Sequence, residues 1–269
     1  MKHVDLAAIG DGDAALSFFL NLYHCMVIHV GLLLEPKQTA FTWAAHAASF
    51  CYEVGGDVVS LAEVEFTLIR RSLPVPHHIP GQRVLVPRRA LFLCCGGGAA
   101  KPDPRVVFAV NSGSRSALPI VPVYTPLRLQ AQLDAVSRLY VQEACVFNAT
   151  TLKATLPLCL HWSAHVFRRK GEPEAKLVQG LSRWFDRGQA LAWARLRDAP
   201  GATVRFVPHD WTRRAVGLVD DASLEALAAG GAAVREEGGR RVRSPPPPPP
   251  PGGAVVQRCL RDVDLGDGV

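Results

Sequence analysis

The residue types best suited to chemistry meet at Asn111-Ser112-Gly113. They follow an apolar run over residues 106–110, Val-Val-Phe-Ala-Val, whose β-branched and aromatic content predicts a short buried strand. Asn and Gly tolerate positive φ, so that strand is expected to stop in a sharp turn and feed a loop rather than a hairpin. Successive small turn residues leave backbone N–H groups free to converge on one point, as in anion cradles and oxyanion holes. Ser112 then stands where a nucleophile would stand. The alternative is a loop serine bonded to its own backbone.

Other polar residues can be weighed in the same way. Asn21, Cys25 and His29 are spaced four apart and share a face of the first predicted helix. They form either a polar cluster aimed at the end of the central strand or a satisfied network anchoring a core helix. His161 and His165 are also spaced i, i+4 and could grip a metal with Cys159 or Cys145. No glutamate follows His161, however, and no metal or other cofactor is expected. Cys94-Cys95 reads as strand-end packing, and His77-His78, in a proline-rich loop, as solvated. Asp210-Trp211 could hold a base in place, or could be a buried tryptophan beside a capping aspartate.

The elements that must position these groups follow from pattern and punctuation. Residues 14–34 are nearly all apolar and long enough to span a membrane. Asn21, His24 and His29 would be costly in lipid, so a long buried core helix is expected. A second helix is predicted over 38–54, ending at Gly55-Gly56 as a C-cap. Ser60 with Glu63 forms a capping box for a third helix ending near Arg70-Arg71. Short strands are predicted over 84–86 and 91–95, and a helix over 126–144 carrying Leu129, Leu133, Val136 and Tyr140 on one face. A hairpin pairing 146–147 with 151–156, helices over 157–167 and 174–196, and a last strand over 204–207 complete the reading.

Composition bounds the whole. The chain has 269 residues, of which 48% are hydrophobic, ample for a core. Its net charge of +6 is carried by scattered arginines rather than one basic stripe, which argues against a nucleic-acid partner. The seven cysteines include no Cys-x-x-Cys spacing and suit reduced thiols in a cytoplasmic protein. No leader peptide is visible at the start, and no membrane partner is expected. From residue 215 the sequence turns to alanine, glycine and charge, with seven prolines over 245–251. That tract favours polyproline II, so 215–269 is expected to be a disordered tail able to dock a proline-reading protein.

The central stretch resembles the signature of the domain of unknown function 547 family, in which a strand ends in Asn-Cys-Gly-Ala followed by Ser-Cys-Pro-Pro and an aliphatic residue. This chain keeps Asn111, Gly113, Ser116, Pro119 and Ile120 but has Ser112 and Ala117 in place of the two cysteines. Further blocks resemble the family in order: Phe19-Leu20-Asn21-Leu22-Tyr23-His24 with Ile28-His29, then Gly55-Gly56, Ser60-Leu61 and Val64-Glu65 to Ile69-Arg70. Leu156-Pro157 with Trp162 and Phe167, and His209-Asp210-Trp211-Thr212, follow over residues 14–214. Val166 stands where the family commonly has aspartate, and His209 where it has tyrosine.

The resemblance implies a papain- or transglutaminase-like acyl-transfer site. Ser112 would be the nucleophile, His29 the base, and Asp210 or Asn21 the orienter of that base. Asn111 and Gly113 would shape the anion hole, with Ser116 and Tyr23 as further substrate contacts. A cysteine ionises from about 8.5 and works beside a histidine, whereas a serine hydroxyl is far less acidic. The expected role is therefore a catalytically impaired interaction or regulatory domain, with a serine hydrolase or acyltransferase as the alternative. The expected fold class is α+β: a single domain over 14–214 behind a short N-terminal segment (1–13), with a small mixed or antiparallel sheet and surrounding helices.

Overall fold

A computed structural model of the chain describes residues 1–10, 12–34, 39–70, 73, 103–230 and 256–257. The fold is α+β and organised around a long N-terminal helix, α1 (Gly12–Leu33). Phe19, Leu20, Leu22, Tyr23, Met26, Val27 and Val30 are buried along it, so the apolar run is spent on the interior of the fold. Among the described residues it is the one helix long and apolar enough to cross a membrane, and half of its apolar window is buried.

α2 (Ala40–Ser49) begins at a capping box made by Thr39 and Thr42 and stops earlier than expected. Residues read as its last turn form strand β1 (Phe50–Val54), which pairs antiparallel with β2 (Asp57–Ser60). Gly55 and Gly56 have φ of 59° and 84°, so they form a two-residue hairpin turn rather than a helix cap. On its other side β1 pairs antiparallel with β8 (Val256–Gln257). The Ser60–Glu63 capping box is present and starts α3 (Leu61–Glu63), which runs on as a π-helical turn, Val64–Ile69. Glu65 is buried in that wider turn together with Phe66 and Ile69.

The expected central strand is instead a one-turn helix, α4 (Val106–Ala109). Its cause lies upstream. The Asp103 carboxylate accepts from the Arg105 N–H (2.9 Å) and grips the Arg105 guanidinium, and the Val106 N–H donates to Asp103 O (3.3 Å). Asp103-Pro104 is thus a helix-start signal, the proline taking a first-turn position that needs no N–H. The apolar run carries no helical period because α4 is buried on several sides. Val106 and Ala109 enter one core cluster with α1 and the π turn, while Phe108 enters a second.

The second cluster is built on α5 (Leu129–Ala144), which starts three residues later than expected. β4 (Val146–Asn148) and β5 (Lys153–Pro157) form the expected hairpin, and β6 (Thr203–Val207) adds to β5 in parallel. Pro157 caps α6 (Leu158–Trp162), followed by α7 (Ala164–Phe167). The helix predicted over 174–196 is two, α8 (Glu174–Leu181) and α9 (Arg187–Arg197), separated by a 3-10 turn and restarted by an Asp186–Gln189 capping box.

The packed chain also extends past residue 214, inside the segment expected to be a disordered tail. β7 (Gly217–Val219) pairs in parallel with β3 (Ile120–Pro122), and α10 (Asp221–Gly230) packs along α5 with Leu224 and Ala228 buried. Among the described residues the sheet is accordingly three small ones of mixed sense. The strands expected over 84–86 and 91–95, His77-His78, Cys94-Cys95 and the proline tract lie outside the described residues.

Candidate functional site

The loop after α4 is held from three directions. Asn111 does most of this. Its Oδ1 accepts from the Gly113 N–H (2.9 Å), and its Nδ2 donates to Leu118 O (2.7 Å) and Ile120 O (3.3 Å). Gly113 has φ of 70°, which tightens the turn. Residues 113–116 then pair with the segment after β6: Arg115 N donates to Thr212 O (2.8 Å), Arg214 N to Gly113 O (3.0 Å), and Asp210 N to Ser116 Oγ (2.8 Å). Asn111, Gly113 and Ser116 are thus used to shape the loop.

Among the described residues Ser112 meets a histidine through another hydroxyl. Ser112 Oγ donates to Ser114 Oγ (3.2 Å), and Ser114 Oγ lies 3.0 Å from His209 Nε2. The His209 ring packs against Trp211 and Trp162, with centroids 4.3 and 5.5 Å away. Burial depresses its pKa to about 4, so the ring is neutral near pH 7 and able to accept a proton only weakly. His209 Nδ1 is buried without a hydrogen-bond partner. Among the described residues no group is placed to fix its tautomer as in a triad.

The expected base and orienters are occupied elsewhere. His29 Nδ1 bonds the Tyr52 hydroxyl on β1 (2.7 Å). Asn21 clamps the Tyr124 backbone, donating to its carbonyl (2.8 Å) and accepting from its N–H (2.9 Å). Asp210 is exposed, and its carboxylate accepts from Thr212 N (2.8 Å) rather than from an imidazole. Cys25 is exposed, so the i, i+4 trio forms no cluster. The α1 imidazole that reaches the loop is His24, five residues and about 140° around the helix from His29. Its Nε2 lies 3.1 Å from Ala109 O and 3.3 Å from Asn111 N, and burial lowers its pKa to about 4.

Ser112 lines a cavity of about 90 Å³ between the two core clusters. Trp43, Phe66, Phe108, Trp162 and Trp211 are its aromatic wall, and Tyr23, Asn111 and Ser116 reach it as well. Of its polar floor, Tyr23 was expected as a contact and the Glu65–Arg70 pair was not. Tyr23 OH donates to Glu65 Oε2 (3.0 Å), and Arg70 Nε donates to Glu65 Oε1 (3.0 Å), both members of the ion pair being buried. Burial, then Glu65, push the Tyr23 phenol well above its ordinary value. Opposite stands Cys159, its Sγ 2.8 Å from Tyr140 OH and its thiol pushed up by burial. The only sequence signal for the floor was charge inside an apolar capped helix, the Val64-Glu65 to Ile69-Arg70 block. Among the described residues no three His, Cys, Asp or Glu side chains are grouped to hold a metal.

Arg213 lies beside this cavity. Its Nη2 donates to Val27 O (3.2 Å), and its guanidinium sits 5.6 Å from the Trp43 ring centre. A side chain on Gly31 would occupy the space the guanidinium fills. Nη1 is buried with no hydrogen-bond partner, and no carboxylate pairs with Arg213 among the described residues. Desolvation lowers its pKa, the sign of a cation short of compensation.

No curated protein and no solved structure matches the chain. The model of one family does, over residues 10–141, described as protein of unknown function, DUF547. The match runs from α1 to α5 and includes the Asn111–Ile120 loop, whereas Trp162, His209 and Trp211 lie beyond it. The segment that carries α1, the Glu65–Arg70 pair and the Ser112 loop is thus the part of this chain that matches the DUF547 family.

Proposed function

We propose that the chain is a catalytically impaired member of its family, acting as an interaction or regulatory domain whose Ser112 cavity binds without turning its occupant over. One observation carries this reading: the imidazole that Ser112 reaches by hydrogen bonds among the described residues is one hydroxyl removed, is held neutral, and has no orienting partner on Nδ1. Losing triad members costs about 10⁴ or more in rate, and a serine compensates less well than a thiol. The cavity itself is intact, with aromatic walls and a fixed polar floor, the make-up of a small-molecule site.

Serine- and cysteine-directed acylating probes, with peptide mapping of the adduct, test this. Wild type should show no adduct at residue 112, as should Ser112→Ala, while Ser112→Cys should gain one. Stoichiometric acylation of Ser112 in the wild type, lost in Ser112→Ala and followed by deacylation, would overturn the reading and restore the acyl-transfer alternative.

A further inference from the structure

The floor of the cavity holds donors that the fold does not use. A guanidinium has five N–H bonds. Arg70 is only 7% exposed, and its Nε is spent on Glu65. Nη1 and Nη2 make no hydrogen bond to any described residue, and Arg70 lines the cavity. Burying such donors without a partner is costly unless something accepts from them. Both Glu65 oxygens are already engaged, one by Arg70 Nε and the other by Tyr23 OH.

The charge around Tyr23 is unbalanced in the same sense. Arg70 and Arg213 both act on the Tyr23 phenol, against a single carboxylate, Glu65. Arg213 is half-buried, stacked on Trp43 and without an acidic partner among the described residues. Trp43 is shared, one face toward Arg213 and the ring also lining the cavity. Inside the site Arg70 is paired with Glu65, and Arg213 adds a second cation beside it that no carboxylate among the described residues answers.

We infer that the cavity is a binding site for a small carboxylate, its oxygens on the Nη1–Nη2 edge of Arg70 and its apolar body against Trp43 and Phe66. A carboxylate matches the planar fork of Arg70 bidentately and supplies the missing charge. A volume of about 90 Å³ admits an acid of a few carbons and excludes a nucleotide or a peptide side of any length. Trp43 and Phe66, with Ala44, Ala47 and Ala62, favour an aliphatic body over a polyol. This inference rests on the cavity being a binding site, and the two can fail separately.

The test compares butyrate with its neutral isostere butyramide by tryptophan fluorescence and calorimetry on the whole chain. Butyrate should bind at least tenfold tighter. Glu65→Gln keeps an acceptor for Tyr23 while adding net positive charge, and should tighten butyrate several-fold without helping butyramide. Glu65→Gln with Arg70→Gln removes both members of the buried ion pair together, so it should fold, and should abolish the preference for the acid. Equal binding of acid and amide would overturn the carboxylate assignment and leave the cavity reading standing. Binding of neither would overturn both.

Discussion

Ser114 and His209, 95 positions apart, are joined at 3.0 Å between Oγ and Nε2, and that contact ties the loop after α4 to the segment after β6. Ser114 is 1% exposed and bridges Ser112 to the imidazole. Replacing it by alanine strips His209 of its one hydrogen bond while Nδ1 is already unpartnered. Ser114→Ala is therefore expected to cost about 1–3 kcal/mol, the penalty for an unsatisfied buried polar group. Urea unfolding checks this, the midpoint falling at unchanged slope.

The buried imidazole of His24 and the partly buried one of His209 make stability acid-sensitive in a defined window. His24 and His209 titrate at about 4 in the fold against an ordinary value of 6.5. Between these values the unfolded chain binds protons that the fold refuses, so stability is present above pH 6.5 and is lost as pH falls toward 4. For His24, the more deeply buried, the full effect is on the order of 3 kcal/mol. His24→Asn removes the titrating group and keeps a donor for Ala109 O. Its unfolding free energy, measured from pH 7 to 4.5, should fall less steeply than that of the wild type. An unchanged slope would mean that the His24 ring is not sequestered.

What could be read in advance divides along a physical line. α1, the Ser60–Glu63 cap and the β4–β5 hairpin were legible because local rules and tertiary packing agree there. α4 was misread because five consecutive apolar residues have no period, and burial on several sides suits either a strand or a helix. The deciding signal was Asp103-Pro104, which favours a helix start. Gly55-Gly56 reads equally as a cap or a hairpin turn, and only the partner strand separates them. For the site, Ser112 and its loop were found, but the histidine was not. His209 lies 97 residues downstream, and neither spacing nor helical face could bring it to Ser112. Nor could they show that the Glu65–Arg70 pair would point inward, which depends on the π turn at Val64–Ile69.

The boundary after residue 214 is where composition misled most, since alanine and glycine runs look like tail. Yet Asp220-Asp221-Ala-Ser carries a helix start: the Asp220 carboxylate accepts from Ser223 N at 2.8 Å. The helix it begins is fixed to α5 by Gln132 Nε2 on Asp221 Oδ1 (2.6 Å), by the Arg128–Glu225 pair, and by Leu224 at 1% exposure. The last of these decides the energetics. An exposed ion pair contributes about 0–1 kcal/mol, whereas truncating a fully buried leucine costs about 2–5 kcal/mol. Leu224→Ala should therefore lower the unfolding free energy severalfold more than Glu225→Ala. If α10 were a mere appendage, the two would be alike. Because Gln132 also donates to Val123 O (2.8 Å) and accepts from Thr125 N (3.0 Å), loosening α10 should be felt at the Tyr124 clamp on Asn21. Amide hydrogen exchange in Leu224→Ala should then rise at Tyr124 as well as in α10, and protection retained at Tyr124 would confine α10 to a local role.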